Sequence, residues 1–207
     1  LFPILIVIFT GLGCSLTYWS STPPLWLAKL RANWETADAA YYQKLASTYY
    51  EQEKFDLALE AITEAIAMEA DQPLNYLLRG KIHRGQKDFE AALVDFDKLL
   101  SLAPWRGCLV FQGHLQKGLT YLESNDYHQA IDSLSTAIEI HYRDCYFQLY
   151  DAYQDAYYYR AQANEKANFY SDAAADYAMY LTYKQLELEP QERLDLEERI
   201  KQLHEKD

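Results

Sequence analysis

The 207-residue sequence predicts an all-α protein, an α-solenoid of about four helix hairpins with a C-terminal capping helix and an N-terminal apolar segment. Three observations carry this. The stretch from Pro73 to Pro104 holds Tyr76, Arg79, Gly80 and His83, then Phe89, Ala92 and Phe96, a spacing of large and small residues at which two helices can pack as a hairpin. The same spacing returns before and after it, with Ala58 and Ala92 set 34 residues apart. One such hairpin cannot bury its own apolar face, so each copy requires stacked neighbours.

Within the Pro73–Pro104 hairpin, Gly80 and Ala92 are small where the helices approach, and Tyr76, Phe89 and Phe96 fill the space beyond. Pro104 cannot continue the second helix. Upstream, Tyr42, Leu45, Ala46 and Tyr49 precede Phe55, Ala58 and Ile62. Downstream, Gly118, Tyr121, Tyr127, Ala130 and Leu134 form a third copy. The fourth runs through Tyr157, Arg160, Ala161, Tyr170, Ala173 and Tyr177, with Asn164 where the pattern wants an aromatic. On these residues the chain from about 39 to 185 resembles the tetratricopeptide repeat family. The resemblance implies a right-handed solenoid with repeats at 39–72, 73–106, 111–144 and 154–187 inside a domain of residues 39–189, closed by a capping helix over 190–207.

Departures from the pattern are expected to mark what is particular to this chain. Ala92 and Ala130 are 38 residues apart and Ala130 and Ala173 are 43, so four and nine extra residues enter the third and fourth joints. Arg79, Lys117 and Arg160 stand where the family usually has leucine, and such long side chains are expected to carry their heads out to water. Tyr142, Tyr146, Tyr150, Tyr153 and Tyr157 recur every three or four residues, which lines them along one face of a continuous helix and predicts that the first helix of repeat four is extended backwards. That stripe has two readings. Either it is core against the neighbouring hairpin, or its outer part, Tyr142, Tyr146, Tyr150 and Tyr153, is a partner-binding extension.

Leu1 to Trp19 is a run without charge, apolar enough to enter a bilayer. It reads either as an export signal resembling that of a bacterial lipoprotein, with Cys14 as the lipidated residue, or as a retained membrane helix with Tyr18, Trp19 and Trp26 at the interface. A buried helix of a soluble fold is the third reading. Residues 20–38 form a linker and a short amphipathic helix, whose Trp26, Leu27, Leu30 and Trp34 cap the first repeat or lie on a membrane surface. Ser171 and Asp172 read as the start of the last repeat's second helix, and Pro190 opens a helix whose Leu194, Leu196, Ile200 and Leu203 cover the final face. Glu192, Arg193, Glu197, Glu198 and Lys201 then point to water.

A net charge of −12 argues against nucleic acid as a partner. No Gly-Lys-Ser/Thr phosphate loop occurs, and the five histidines never fall three or four apart as a helical metal pair requires, so neither nucleotide, metal nor cofactor is expected. His83 and His114 occupy aromatic slots and read as structural. No catalytic constellation is present, and the protein is not expected to be an enzyme. Cys108 and Cys145 lie in similar contexts at the two insertions, yet a six-residue offset within their repeats is about 9 Å along a helix, beyond the roughly 7 Å that a disulfide spans.

Family resemblance further implies a groove lined by Gln43, Ser47, Tyr50, Leu77, Lys81, Arg84, Gln112, Leu115, Leu119, Tyr158 and Gln162 that holds a peptide, a helix or a complex subunit. The paired Lys/Asn positions of chaperone adaptors are absent, although Lys81 and Arg84 can still hold one acidic group. The expected function is a membrane-tethered scaffold of the cell envelope, lipid-anchored or single-pass, with its repeats on the exported side. An adaptor or regulator of a cell-wall or other envelope enzyme, and a free exported binding protein, are the alternatives.

Overall fold

The computed structural model describes residues 38–104, 107–144, 150–184 and 187–206. They form helices α1 (Ala39–Glu51), α2 (Phe55–Met68), α3 (Pro73–Gly85), α4 (Phe89–Leu102), α5 (Gly107–Glu123), α6 (Tyr127–Asp144), α7 (Tyr150–Lys166), α8 (Tyr170–Lys184) and α9 (Pro190–His204). No strand occurs among the described residues. The leader Leu1–Trp19 with Cys14, and the expected helix at Leu25–Trp34, lie outside them. No described helix is long and apolar enough to cross a membrane.

Each hairpin closes on small residues facing large ones. A methyl group on Gly80 of α3 would stand 2.5 Å from the Phe96 ring of α4, so the fully buried phenylalanine occupies the space a side chain would need. Hairpins α1–α2, α3–α4, α5–α6 and α7–α8 stack in chain order, each second helix packing on the next first helix. First helices of successive hairpins also touch: α1 meets α3, α3 meets α5, and α5 meets α7. The described second helices make no comparable contact with one another, so the array bends with its first helices on the inner side. The core is a row of clusters joined across repeats, as where Ile82 of α3 packs with Tyr42, Ala46 and Ile62 of the first hairpin.

The turns repeat as faithfully as the helices. Glu53, Lys87, Asn125 and Asn168 all have φ between 56° and 65°, and in each case the next residue's N–H donates to a carbonyl five residues back, at 2.8 to 2.9 Å. That left-handed residue reverses the chain between the two helices of every repeat.

Helix lengths show where the insertions go. Gly80 is the eighth residue of the 13-residue α3, whereas Gly118 and Ala161 are each the twelfth of the 17-residue α5 and α7. The four extra residues before repeat three are therefore one turn added at the start of α5. Of the nine before repeat four, four lengthen α6 to 18 residues and four open α7, and the ninth falls within 145–149, outside the described residues. This corrects the expected single extended helix. Tyr142 belongs to α6, Tyr150 and Tyr153 begin α7, and Tyr146 lies outside the described residues with the rest of 145–149.

At the C-terminus Pro190 opens α9, with the Glu192 carboxylate accepting from the Glu189 N–H at 3.1 Å. Leu203 is fully buried with Ala161, Ala173 and Tyr177, and Leu196 and Ile200 flank it. Two details differ from expectation. Leu194 is 56% exposed and covers nothing, while Arg193 is half-buried rather than solvated. Helix α8 begins at Tyr170, one residue ahead of Ser171.

Candidate functional site

The basic residues in the leucine slots do not run to water. Arg79 Nε and Nη2 donate to the two carboxylate oxygens of Asp95 at 2.9 and 2.6 Å, and Asp95 is almost wholly buried between α3 and α4. Arg160 meets Asp176 in the same bidentate way at 2.8 and 2.7 Å, and its third nitrogen donates to Ser135 of the preceding hairpin at 2.9 Å. Asn164, in the aromatic slot, donates to Asp176 as well, at 3.1 Å. Lys117 reaches across repeats to Asp97 at 2.7 Å. For the two arginines the physical reason is desolvation: a carboxylate this deep on the second helix is costly unless the guanidinium on the first pairs with it. These three cations are structural, and they leave the inner face to other residues.

On that face Gln43, Ser47 and Tyr50 of α1 are half-buried, as are Gln112 and Leu119 of α5 and Tyr158 and Gln162 of α7. Leu77 and Leu115 are only 7% and 6% exposed and form part of the core beneath the groove. Lys81 and Arg84 lie on α3 with Lys81 half-buried. Burial, and then the charge of Arg84, push the Lys81 ammonium below its ordinary range.

The C-terminal ends of α3 and α5 meet near the middle of α7. Arg84 Nε stands 3.6 Å from Glu123 Oε1 of α5, and both charges act on the Tyr159 phenol of α7, which burial and then Asp155 push upward. Beside them opens a cavity of about 570 Å³, walled by Leu119, Leu122 and Glu123 of α5, Asn125 of the turn, Tyr127 of α6, Tyr159, Gln162, Glu165 and Lys166 of α7, and Arg199 of α9. Its volume suits a side chain or a short peptide stretch. Arg199 pairs with Glu165, so the capping helix also completes the cavity wall. Of the residues expected in the groove, Leu119 and Gln162 line this cavity. Tyr159, Glu123 and Arg199 were missed: Tyr159 falls between the expected Tyr158 and Gln162, Glu123 is the last residue of α5, and Arg199 belongs to the capping helix, which the repeat positions do not include.

The tyrosine stripe resolves on its inward side. Tyr153 is 8% exposed, its hydroxyl is 3.1 Å from that of Tyr157, and its ring stands edge-on to Tyr157 and Tyr183. Burial pushes the Tyr153 phenol up to about 12. Tyr153 is therefore core and not part of an outer binding surface, since its ring is enclosed between α7 and α8. The side chains of Tyr142 and Tyr150 and all of Tyr146 lie outside the described residues. Tyr158 packs on Tyr177 and Tyr180 with ring centroids 5.7 and 5.0 Å away.

His83 lies between Asp88 and Asp95 at 4.0 and 3.8 Å, and burial lowers the His114 imidazole. No group of three His, Cys, Asp or Glu among the described residues is placed to hold a metal ion. Cys108, which the helical offset argued against pairing with Cys145, takes part in a disulfide; the chain's other cysteines, Cys14 and Cys145, both lie outside the described residues.

Sequence profiles of the tetratricopeptide repeat match residues 43–104 and 111–141. No curated protein sequence matches the chain. Among solved structures it is similar to MamA 41-end from Desulfovibrio magneticus RS-1, at 17% identity and TM-score 0.60 over 81% of this chain and 93% of that one. TTC0263, a thermophilic tetratricopeptide protein of Thermus thermophilus, aligns at 19% identity and TM-score 0.59 over 86% of this chain and 88% of that one. A chain of the APC/C hetero-tetramer Cut9-Hcn1 aligns at 17% identity and TM-score 0.65 over 79% of this chain but only 30% of its own length. At these identities the likeness is one of fold.

Proposed function

We propose that this tetratricopeptide-repeat solenoid is a non-catalytic scaffold that holds protein partners along its inner face, with the cavity between α5, α7 and α9 as the anchor. The observation that carries this is the convergence of Glu123, Tyr159 and Gln162 in the wall of that cavity, with Arg84 beside Glu123, from helices whose other faces are committed to the core. Repeat arrays offer such a surface because stacking leaves one continuous inner face. A similar fold sits within the Cut9-Hcn1 hetero-tetramer.

The scaffold is tethered to a membrane through Leu1 to Trp19, by lipid on Cys14 or by a retained helix, and works in an envelope complex. The disulfide at Cys108 supports a location on the exported side, since disulfides persist in oxidising compartments. Purification of the tagged full chain from its native membranes tests the reading. A stoichiometric partner is expected with the unaltered protein and lost with Tyr159→Ala, while Val94→Ala on the outer surface leaves it in place. Retention of the partner by Tyr159→Ala, or substrate turnover by the isolated chain, would refute it. Intact mass of the mature protein reads the tether directly.

A further inference from the structure

Several tyrosine rings are met by cations of the chain itself. Arg79 and Lys98 stand over Tyr76, Arg160 over Tyr157 and Lys206 over Tyr170, at 5.2 to 6.0 Å from the ring centroids. At the last hairpin three rings go without. Tyr158 of α7 stands 5.0 Å from Tyr180 of α8 and 5.9 Å from Tyr159, all three are half-buried, and no described lysine or arginine lies over any of them. Asp155 sits one turn before Tyr158 and Tyr159 on the same face of α7, and its charge reaches the Tyr159 and Tyr180 phenols. Its half-buried carboxylate has no hydrogen-bond or ion-pair partner among the described residues. Burial pushes that carboxyl up; Lys184 draws it down, and Asp151 and Glu187 push it up again. Lys184 is already engaged, since its ammonium meets Glu187 at 2.7 Å and Asp151 at 3.5 Å. A partly desolvated carboxylate without a counter-ion, beside uncovered π faces, is costly unless a cation arrives from outside.

We propose that Asp155, Tyr158 and Tyr180 hold a basic side chain, arginine or lysine, of a protein partner, its cation resting on the tyrosine rings and meeting the carboxylate. This rests on the reading of the inner face as the partner-binding surface, and adds which charge the partner brings. Tyr159 links this cage to the cavity, since it stands beside Tyr158 and forms part of the cavity wall. Charge complementarity picks the occupant. Asp151 and Glu187 near Asp155, and Glu192 near Tyr180, add negative charge around the cage, and the whole chain carries −12. Such a field draws in a basic segment and turns away an acidic one. Aromatic faces beside a carboxylate suit a flat guanidinium and also an ammonium group.

The test pans a phage-displayed random peptide library against the full chain and measures the selected peptides on variants. Selected sequences are expected to carry Arg or Lys. Asp155→Asn should weaken them about tenfold or more, Tyr180→Leu should weaken them as well, and Tyr180→Phe, which keeps the ring, should hold most of the affinity. Asp155→Asn should leave the thermal midpoint of the free protein unchanged or raise it, because no group within the chain loses a partner; a structural role for Asp155 would lower it. Selection of peptides without Arg or Lys, or unchanged affinity in Asp155→Asn, would overturn the proposal. So would binding of free N-acetyl-arginine amide as tight as that of the peptides, which would deny the partner segment any part. Peptides weakened by Tyr159→Ala but not by Asp155→Asn would overturn it and leave the inner-face reading standing. Failure to select any peptide, or indifference to every substitution, would count against both.

Discussion

Asp95 and Asp176 are carboxylates almost removed from water, and an arginine sixteen residues earlier grips both oxygens of each. Removing one partner strands the other. Asp95→Ala is expected to cost about 3 kcal/mol in urea unfolding. The double variant Arg79→Leu with Asp95→Ala should recover most of that loss, because repeat one already has Leu45 and Ala61 at the corresponding positions. Tyrosine gives a second prediction at this scale. Burial holds the Tyr153 and Tyr177 phenols up at about 12, above the ordinary 10.0, so the folded state keeps protons that the unfolded chain releases. Their contribution to stability is whole below pH 10 and is lost as pH rises from 10 towards 12. The urea midpoint should accordingly fall between pH 9 and pH 11, and fall less in the Tyr153→Phe, Tyr177→Phe variant.

At the scale of the element, the four intra-repeat turns share one backbone and differ in how well their residues suit it. Asn125 and Asn168 tolerate the left-handed region, whereas Glu53 and Lys87 strain against it at φ 56° and 63°. Lys87→Gly should therefore raise stability, by up to about 1 kcal/mol, measured by thermal unfolding, since glycine adopts that conformation without a clash at its β-carbon. The inserted residues obey helical geometry too. Four residues make roughly one turn, so a helix can gain them at an end and keep its buried face in register. That is why α5 and α7 still present Gly118 and Ala161 to their partners after each has grown at its start.

For the whole molecule, the last hairpin depends on what covers it. Leu203 of α9 is completely buried in the cluster of Ala161, Ala173 and Tyr177, so α9 takes the place a fifth hairpin would occupy. Leu203→Ala should destabilise the protein by about 3 kcal/mol in urea unfolding, through lost transfer energy and the cavity left behind. Because Arg199 on the same helix holds Glu165 in the cavity wall, deleting α9 should also weaken any peptide that binds there.

The array itself was legible in the residues, since stacking imposes the same large and small side chains on each hairpin and leaves them in plain order at Gly80, Ala92 and Phe96. Pro190 likewise announced α9. The sequence by itself thus determined the helical hairpins, their number and the terminal cap, because local periodicity and the need to bury one face act along the chain. Only the tertiary structure decided the partners of Arg79 and Arg160, the enclosure of Tyr153, and the meeting of Arg84, Glu123 and Tyr159. Those depend on which side chains face each other across separate helices, and a long side chain carries no mark in its own sequence of whether it meets water or a buried carboxylate.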